Sequence, residues 1–194
     1  MTEQASSTEA SGEREVITVM LGELADPTGA VDSNTSHINA LSTTLMGGAV
    51  GNLLRIGRGA MDASTIAEES LELSANPLIE HFHLRPDWFS FGELPDPAAA
   101  SDSWIVMIQG RLVDPNSAQA AHDVVAEAGA PPMREMGDIA HLPLTGVTDP
   151  SQFLSIDLWD NDKYIEAMYG NPDVTAGFMQ LFAEPPVLQV FRCS

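Results

Sequence analysis

"FLSIDLWDND", residues 153–162, reads as an apolar strand that nevertheless carries a carboxyl and an indole. Side chains alternate across a strand, so Leu154, Ile156 and Leu158 share one face while Phe153, Ser155, Asp157 and Trp159 share the other. The first face is uniformly aliphatic. The second mixes aromatic rings with a hydroxyl and a carboxyl, a composition suited to holding an aromatic molecule and fixing its polar groups. A carboxyl buried there needs a partner or a wet cavity, and a carboxyl that loses hydration becomes a better base. The plain alternatives are packing beneath helices for Trp159 and a solvated sheet edge for Asp157.

Outward from this strand the second half of the chain reads clearly. "WIVMIQGRLV" (104–113) is a strand rich in β-branched and aromatic residues. After Asp114 and Pro115, "NSAQAAHDVVAEA" (116–128) has helical period, and Gly129 with Pro131 and Pro132 is expected to end it. "DIAHLPLTG" (138–146) and 153–159 are two further strands. "DNDKYIEAMY" (160–169) is a helix with acids in its first turn. A second helix, capped by Asn171 with Pro172 at its first position, is expected to run to Phe182 before the strand "VLQVFR" (187–192). The order β-α-β-β-α-α-β is that of a ferredoxin-like unit.

The first half is harder to read. "VITVMLGEL" (16–24) is a strand, "SHINALSTTLM" (36–46) has Ile38, Leu41 and Leu45 at helical spacing, and "TIAEESLELSA" (65–75) opens with a Thr65/Glu68 capping box. "DWFSFGEL" (87–94) is expected to be a strand. "GGAVGNLLRIGRGAMD" (47–62) fits a glycine-interrupted helix or a strand pair, and it matches no phosphate-binding loop. "VMLGELADP" (19–27) and "VMIQGRLVDP" (106–115) both leave a strand through Gly-x-Leu-x-Asp-Pro at a constant offset of 88 residues, as two related units would. Strand ends often carry Asp-Pro, and "GELPDP" (92–97) repeats part of the string outside the offset. The division expected is an acidic disordered tail (1–14), a divergent α+β unit (15–98) and a ferredoxin-like unit (99–194), with "PDPAAASDS" (95–103) at the boundary.

Composition sets limits. Apolar residues make up 44% of the 194, enough for a sizeable core, and no run approaches a membrane span. The N-terminus lacks the pattern of a signal peptide. A net charge of −20 opposes nucleic acid and anionic lipid as partners. The single cysteine, Cys193, suits a reducing cytoplasm and offers no zinc pattern.

The run "FLSIDLWDNDKYIEAMYGNPDVTAGFMQLFAEPPVLQVF" resembles the dimeric α/β-barrel superfamily, in particular its antibiotic-biosynthesis-monooxygenase and quinol-monooxygenase-like members. The resemblance covers residues 103–193 and implies an α+β, ferredoxin-like barrel of two four-stranded sheets. The sheets would meet either in a homodimer or between two fused half-barrels in one chain. The aliphatic face of 153–159 would then line the barrel, and Trp159, at the strand end where this family places a pocket tryptophan, would line the substrate site. Gln109 stands near an Asn of the heme-degrading relatives. The position of their heme-ligating His is taken here by Tyr169, which departs from a heme site.

The residues carrying the candidate chemistry follow from this placement. Asp157, His122 or His141 would act as base, the histidines because imidazole titrates near neutrality. Gln109 and Tyr164 would anchor polar groups, and Trp159, Phe153, Ser155 and Met107 would shape the slot. Core packing is the alternative for His122, His141 and Tyr164. "EHFHL" (80–84) places His81 and His83 on one strand face without a third ligand, so no metal is expected. The reading is a cofactor-free monooxygenase that joins O₂ to a polycyclic phenol, anthrone or quinol. A cyclase or isomerase using the same pocket, and a non-catalytic binding or assembly protein, are the alternatives.

Overall fold

Aliphatic and β-branched residues dominate Val16–Glu23 (β1), Trp104–Arg111 (β5), Asp138–Gly146 (β6) and Gln152–Trp159 (β7), and their alternation gives each strand two distinct faces. The computed structural model describes residues 14–26, 37–70, 73 and 77–194, so the expected tail over 1–13 and the end of the first Asp-Pro string lie outside it. With Ile38–Ser42 (β2), Asn52–Arg58 (β3), Leu78–Leu84 (β4) and Val187–Cys193 (β8), the strands pair antiparallel throughout. They close into a barrel in the order β1-β3-β2-β8-β5-β7-β6-β4. Closure leaves no unpaired sheet edge, and here it is completed within one chain.

The helices are Ala63–Glu69 (α1), Pro97–Ala100 (α2), Ala118–Glu135 (α3), Ile165–Tyr169 (α4) and Pro172–Met179 (α5). The second half therefore runs β5-α3-β6-β7-α4-α5-β8, the ferredoxin-like order. Leu154, Ile156 and Leu158 fill the barrel with Ile17, Ile56 and Phe82. Phe153 and Trp159 point outward into a second core with Val106, Ile165 and Met168 beneath the helices. Among the described residues, no helix is long and apolar enough to cross a membrane.

β1 and β5 begin 88 residues apart, have equal length and follow the same succession of buried and half-buried positions. The bridges Leu24–Leu73 and Leu112–Phe182 extend the correspondence beyond the strands. Gly110 and Gly22 let these bridged segments approach closely. A Cβ on Gly110 would stand 2.5 Å from Phe182 Cδ1, and one on Gly22 would stand 2.8 Å from Leu73 Cδ1. Gly110→Ala is therefore expected to destabilise the fold by about 1–3 kcal/mol, the usual cost of overpacking, measured as a lower urea midpoint at unchanged slope.

Several expectations for the first half are overturned. Residues 38–42 form β2 rather than a helix, with Ile38 and Ala40 directed into the barrel core. The barrel needs a strand between β3 and β8, and that demand overrides the helical spacing. The glycine-rich stretch supplies the single strand β3, and residues 87–94 form turns in which Phe91 alone makes a β-bridge, to His141. The turn is enforced at Gly92, where φ is +66° and a Cβ would lie 2.3 Å from the Ile139 carbonyl oxygen. α1 is capped by Asp62, whose Oδ1 accepts the Thr65 N–H at 2.8 Å, so the cap lies three residues before the expected box.

In the second half α3 passes through Pro131 and Pro132 to Glu135. The carbonyls left without helical donors, at Glu127 and Ala128, belong to exposed residues, so they are open to solvent rather than buried unpaired. α4 and α5 are shorter than expected, the first starting only at Ile165 and the second ending at Met179.

Candidate active site

The register sets His141 of β6 directly opposite Asp157 of β7, both on the face turned to the helices. Their side chains meet, with His141 Nδ1 2.5 Å from Asp157 Oδ1. Ser155 Oγ donates to the same oxygen at 3.0 Å, and the Tyr169 hydroxyl of α4 donates to Asp157 Oδ2 at 2.8 Å. On the far side, His141 Nε2 lies 3.1 Å from Nε2 of His122, which α3 projects inward with no exposed surface. His122 Nδ1 lies 3.0 Å from Asp123 Oδ1, which also accepts the Phe89 N–H at 2.7 Å. The result is a line of groups, Tyr169–Asp157–His141–His122–Asp123. Asp157 is almost fully buried at one end, and the Asp123 side chain is 25% exposed at the other.

The proton positions follow from donors and acceptors. Burial pushes the His122 pKa down to about 4 against the pull of Asp123, so the ring is neutral at pH 7. Its single N–H faces Asp123, an acceptor already receiving the Phe89 amide, which leaves Nε2 bare. Two bare ring nitrogens 3.1 Å apart would repel, so His141 Nε2 carries a hydrogen and donates it to His122. The 2.5 Å His141–Asp157 contact is a short hydrogen bond between the ring and the carboxyl.

Two further groups shape the electrostatics. Tyr169 is held well above its ordinary pKa by burial first and then by the Asp157 and Asp138 carboxyls, so it remains a donor. Asp138, at the start of β6, is 2% exposed, and neither of its oxygens finds a hydrogen-bond partner among the described residues. Burial first, and the nearby Asp157 charge second, push its pKa up to about 9. Asp138 is thus a neutral acid at pH 7.

His141, Asp157 and Tyr169 supply the polar edge of a cavity of about 100 Å³. The remainder of its wall is apolar and includes Phe91, Ile108, Met133 and Phe178. The Arg134 guanidinium lies over the Phe91 ring at 4.1 Å, fixing that wall from outside.

No family model matches the sequence, and no curated protein does either. Solved structures do. An anthrone oxidase-like protein is similar at a TM-score of 0.58 and 12% identity, covering 94% of this chain and 92% of that one. A ferredoxin-fold protein of Listeria monocytogenes, related to antibiotic biosynthesis monooxygenases, is similar at 0.55 and 10% identity, over 93% of this chain and 95% of the other. A heme-degrading enzyme of the same organism is similar at 0.50 and 10% identity, over 91% and 98%.

The fold is a ferredoxin-like α/β barrel shared with these structures.

In this α/β barrel the residues singled out from sequence fall into three groups. Asp157 and His141 line the cavity, and His122 and Ser155 are hydrogen-bonded to them behind its wall. Phe153 and Trp159 are fully buried outside it. Phe153 packs against Trp88, Phe178 and Phe182, and Trp159 meets Tyr169 edge-on at 6.0 Å. Packing thus accounts for both rings, although the Trp159 indole N–H is left without a partner among the described residues. Tyr164 is half-buried in the same layer with the Lys163 ammonium 4.5 Å above its ring.

Met107 and Gln109 form the third group and require a correction. They pair with Ile156 and Leu154, and directly opposed residues share a face, so both point into the barrel. Gln109 Nε2 donates to Glu80 Oε2 at 2.6 Å there, joined by Gln152 at 3.1 Å, and cannot reach the helix-side cavity. His81 Nδ1 bonds Thr18 Oγ1 at 2.9 Å, and the described residues hold no group of three or more His, Cys, Asp or Glu placed to hold a metal ion.

Sequence reasoning missed Asp138 and undervalued Tyr169. The aspartate is the first residue of its strand, where the sequence gives no sign that it will be buried. The tyrosine flanks Ile165 and Met168 and reads as packing. Its spacing from Asp157, twelve residues on across a strand-to-helix turn, was the available signal.

Proposed function

We propose that the helix-side cavity binds a phenol, quinol or anthrone and that Asp157 takes a proton from it, leaving an electron-rich anion that reacts with O₂. The observation that carries this reading is the continuous hydrogen-bonded line from the apolar cavity at Asp157, through His141 and His122, to half-buried Asp123. A proton accepted at the cavity has a path outward, with each imidazole passing one on and receiving another. Tyr169 and Ser155 hold the Asp157 oxygens in place. For a methylene such as that of an anthrone the reaction balances as CH₂ plus O₂ giving C=O plus H₂O.

A volume of about 100 Å³ is small beside the roughly 300–1,000 Å³ of common ligand pockets. It suits a single ring, and a tricyclic body enters only if α5 moves away from α3. Single-ring quinols are therefore the first substrates to test. Oxygen uptake proportional to enzyme, with an anthrone giving the quinone and water or a quinol giving the quinone and hydrogen peroxide, supports the reading. Substrate conversion without oxygen uptake would support the isomerase alternative. Saturable binding without conversion would support a non-catalytic role.

A further inference from the structure

A second cavity, of about 350 Å³, opens at the end of the barrel where β1 begins and β3 ends. It belongs to none of the chemistry above. Its inner wall is the barrel core itself, through Ile17, Leu142, Leu144 and Ile156, and its rim carries Glu15, Arg58 and Glu93. An eight-stranded barrel has room either to be filled by its own side chains or to hold one small ligand. Near Leu154 and Met107 the interior is filled, with a gap of only about 10 Å³. At this mouth it is not. The segment that crosses the opening is fixed rather than collapsed inward. Leu84 N–H donates to the Glu15 carbonyl at 2.9 Å, Arg85 N–H to the Pro143 carbonyl at 3.1 Å, and Leu94 seals one side within the core.

The rim selects for charge. Arg58 is the cation on the lining, and both its terminal nitrogens are engaged, Nη1 with Glu15 and Nη2 with the Leu94 carbonyl at 2.6 Å. With Glu15 paired to that guanidinium, Glu93 remains as the uncompensated charge on the lining, on a chain whose net charge is −20. An anion is repelled from such an entrance and a cation is drawn to it.

We propose that the barrel mouth is a second small-molecule site, separate from the helix-side cavity, that takes a small apolar amine with its hydrocarbon against Ile17, Leu144 and Ile156 and its ammonium at Glu93 on the rim. The volume falls within the range of ligand pockets, and an apolar wall of Ile17, Leu142, Leu144 and Ile156 beneath a charged rim matches an amphiphile rather than a wholly apolar guest.

The test uses the full chain and a matched pair of probes, 3-phenylpropylamine and 3-phenylpropionate, titrated calorimetrically at pH 7.5. The amine is expected to bind one per chain at roughly 0.1–1 mM, in keeping with ten heavy atoms, and the carboxylate about tenfold more weakly or not at all. Leu84→Trp, which places an indole in the mouth from a half-buried position, should abolish binding. Glu93→Gln, on the exposed rim and harmless to folding, should weaken the amine about threefold. Asp157→Asn should leave amine binding unchanged. Equal binding of both probes, amine binding indifferent to Leu84→Trp and Glu93→Gln, or its loss in Asp157→Asn would each overturn the proposal, the last by relocating the ligand to the helix side.

Discussion

Asp157→Asn is expected to lower turnover of a quinol or anthrone by roughly 10²–10⁴-fold, the contribution of a positioned general base, while leaving the Kd of an unreactive analogue nearly unchanged. The amide keeps the shape, and its single oxygen can accept on the Ser155 side or the Tyr169 side but not on both, while it takes no proton from a substrate. The loss should therefore appear in kcat rather than KM. His122→Gln gives a second measure, because it interrupts the path between His141 and Asp123 without touching the cavity. Its loss of turnover should be smaller and partly restored by small exogenous buffers, which carry the proton the path no longer delivers. Full activity in Asp157→Asn at every pH would remove Asp157 from the role of base.

Stability is expected to decline by about 3 kcal/mol between pH 6.5 and 9, and Asp138→Asn should abolish the decline. The sign follows from Asp138, whose pKa rises from an ordinary 3.8 to about 9 on folding. The folded state holds that proton through a range in which the unfolded chain has lost it, so stability falls as pH rises until the folded group also ionises. Between about pH 4 and 6.5 His122 opposes this trend. Its folded pKa is lowered to about 4, so its contribution is lost as pH falls through that window. The two slopes largely cancel there, and the unopposed Asp138 slope emerges only above pH 6.5. Asparagine keeps the size and remains neutral, so the variant should be the more stable protein at pH 8. Urea denaturation at pH 6.5, 8 and 9 reads the effect directly, and parallel curves for the two proteins would contradict it.

The strand that decides the fold was legible because its periodicity is uninterrupted. Leu154, Ile156 and Leu158 could only be one face, and closing the barrel within one chain covers it. The same logic, applied to β5 without its partner strand, misplaced Met107 and Gln109. Alternation says which residues travel together, and only the register with β7 says which side they take. β2 was read as a helix because Ile38, Leu41 and Leu45 fit the helical period, and the choice of strand was made by a barrel gap far away in sequence. At the site, the His141–Asp157 contact comes from two adjacent strands, whereas His122 joins from a helix whose depth the sequence does not encode. Asp138 was illegible for a simpler reason, since nothing in its neighbourhood marks a carboxyl that folding will bury beside a second one.

The central claim is that the buried chain is poised to pass a proton from the cavity toward Asp123. The most direct measurement is the long-range ¹H–¹⁵N spectrum of the His122 and His141 rings at pH 7, assigned with His122→Gln and His141→Gln. The arrangement described requires a neutral His122 protonated at Nδ1 with a bare Nε2, beside a His141 that carries hydrogen at Nε2. A His122 ring protonated at Nε2, or doubly protonated at neutral pH, would contradict it.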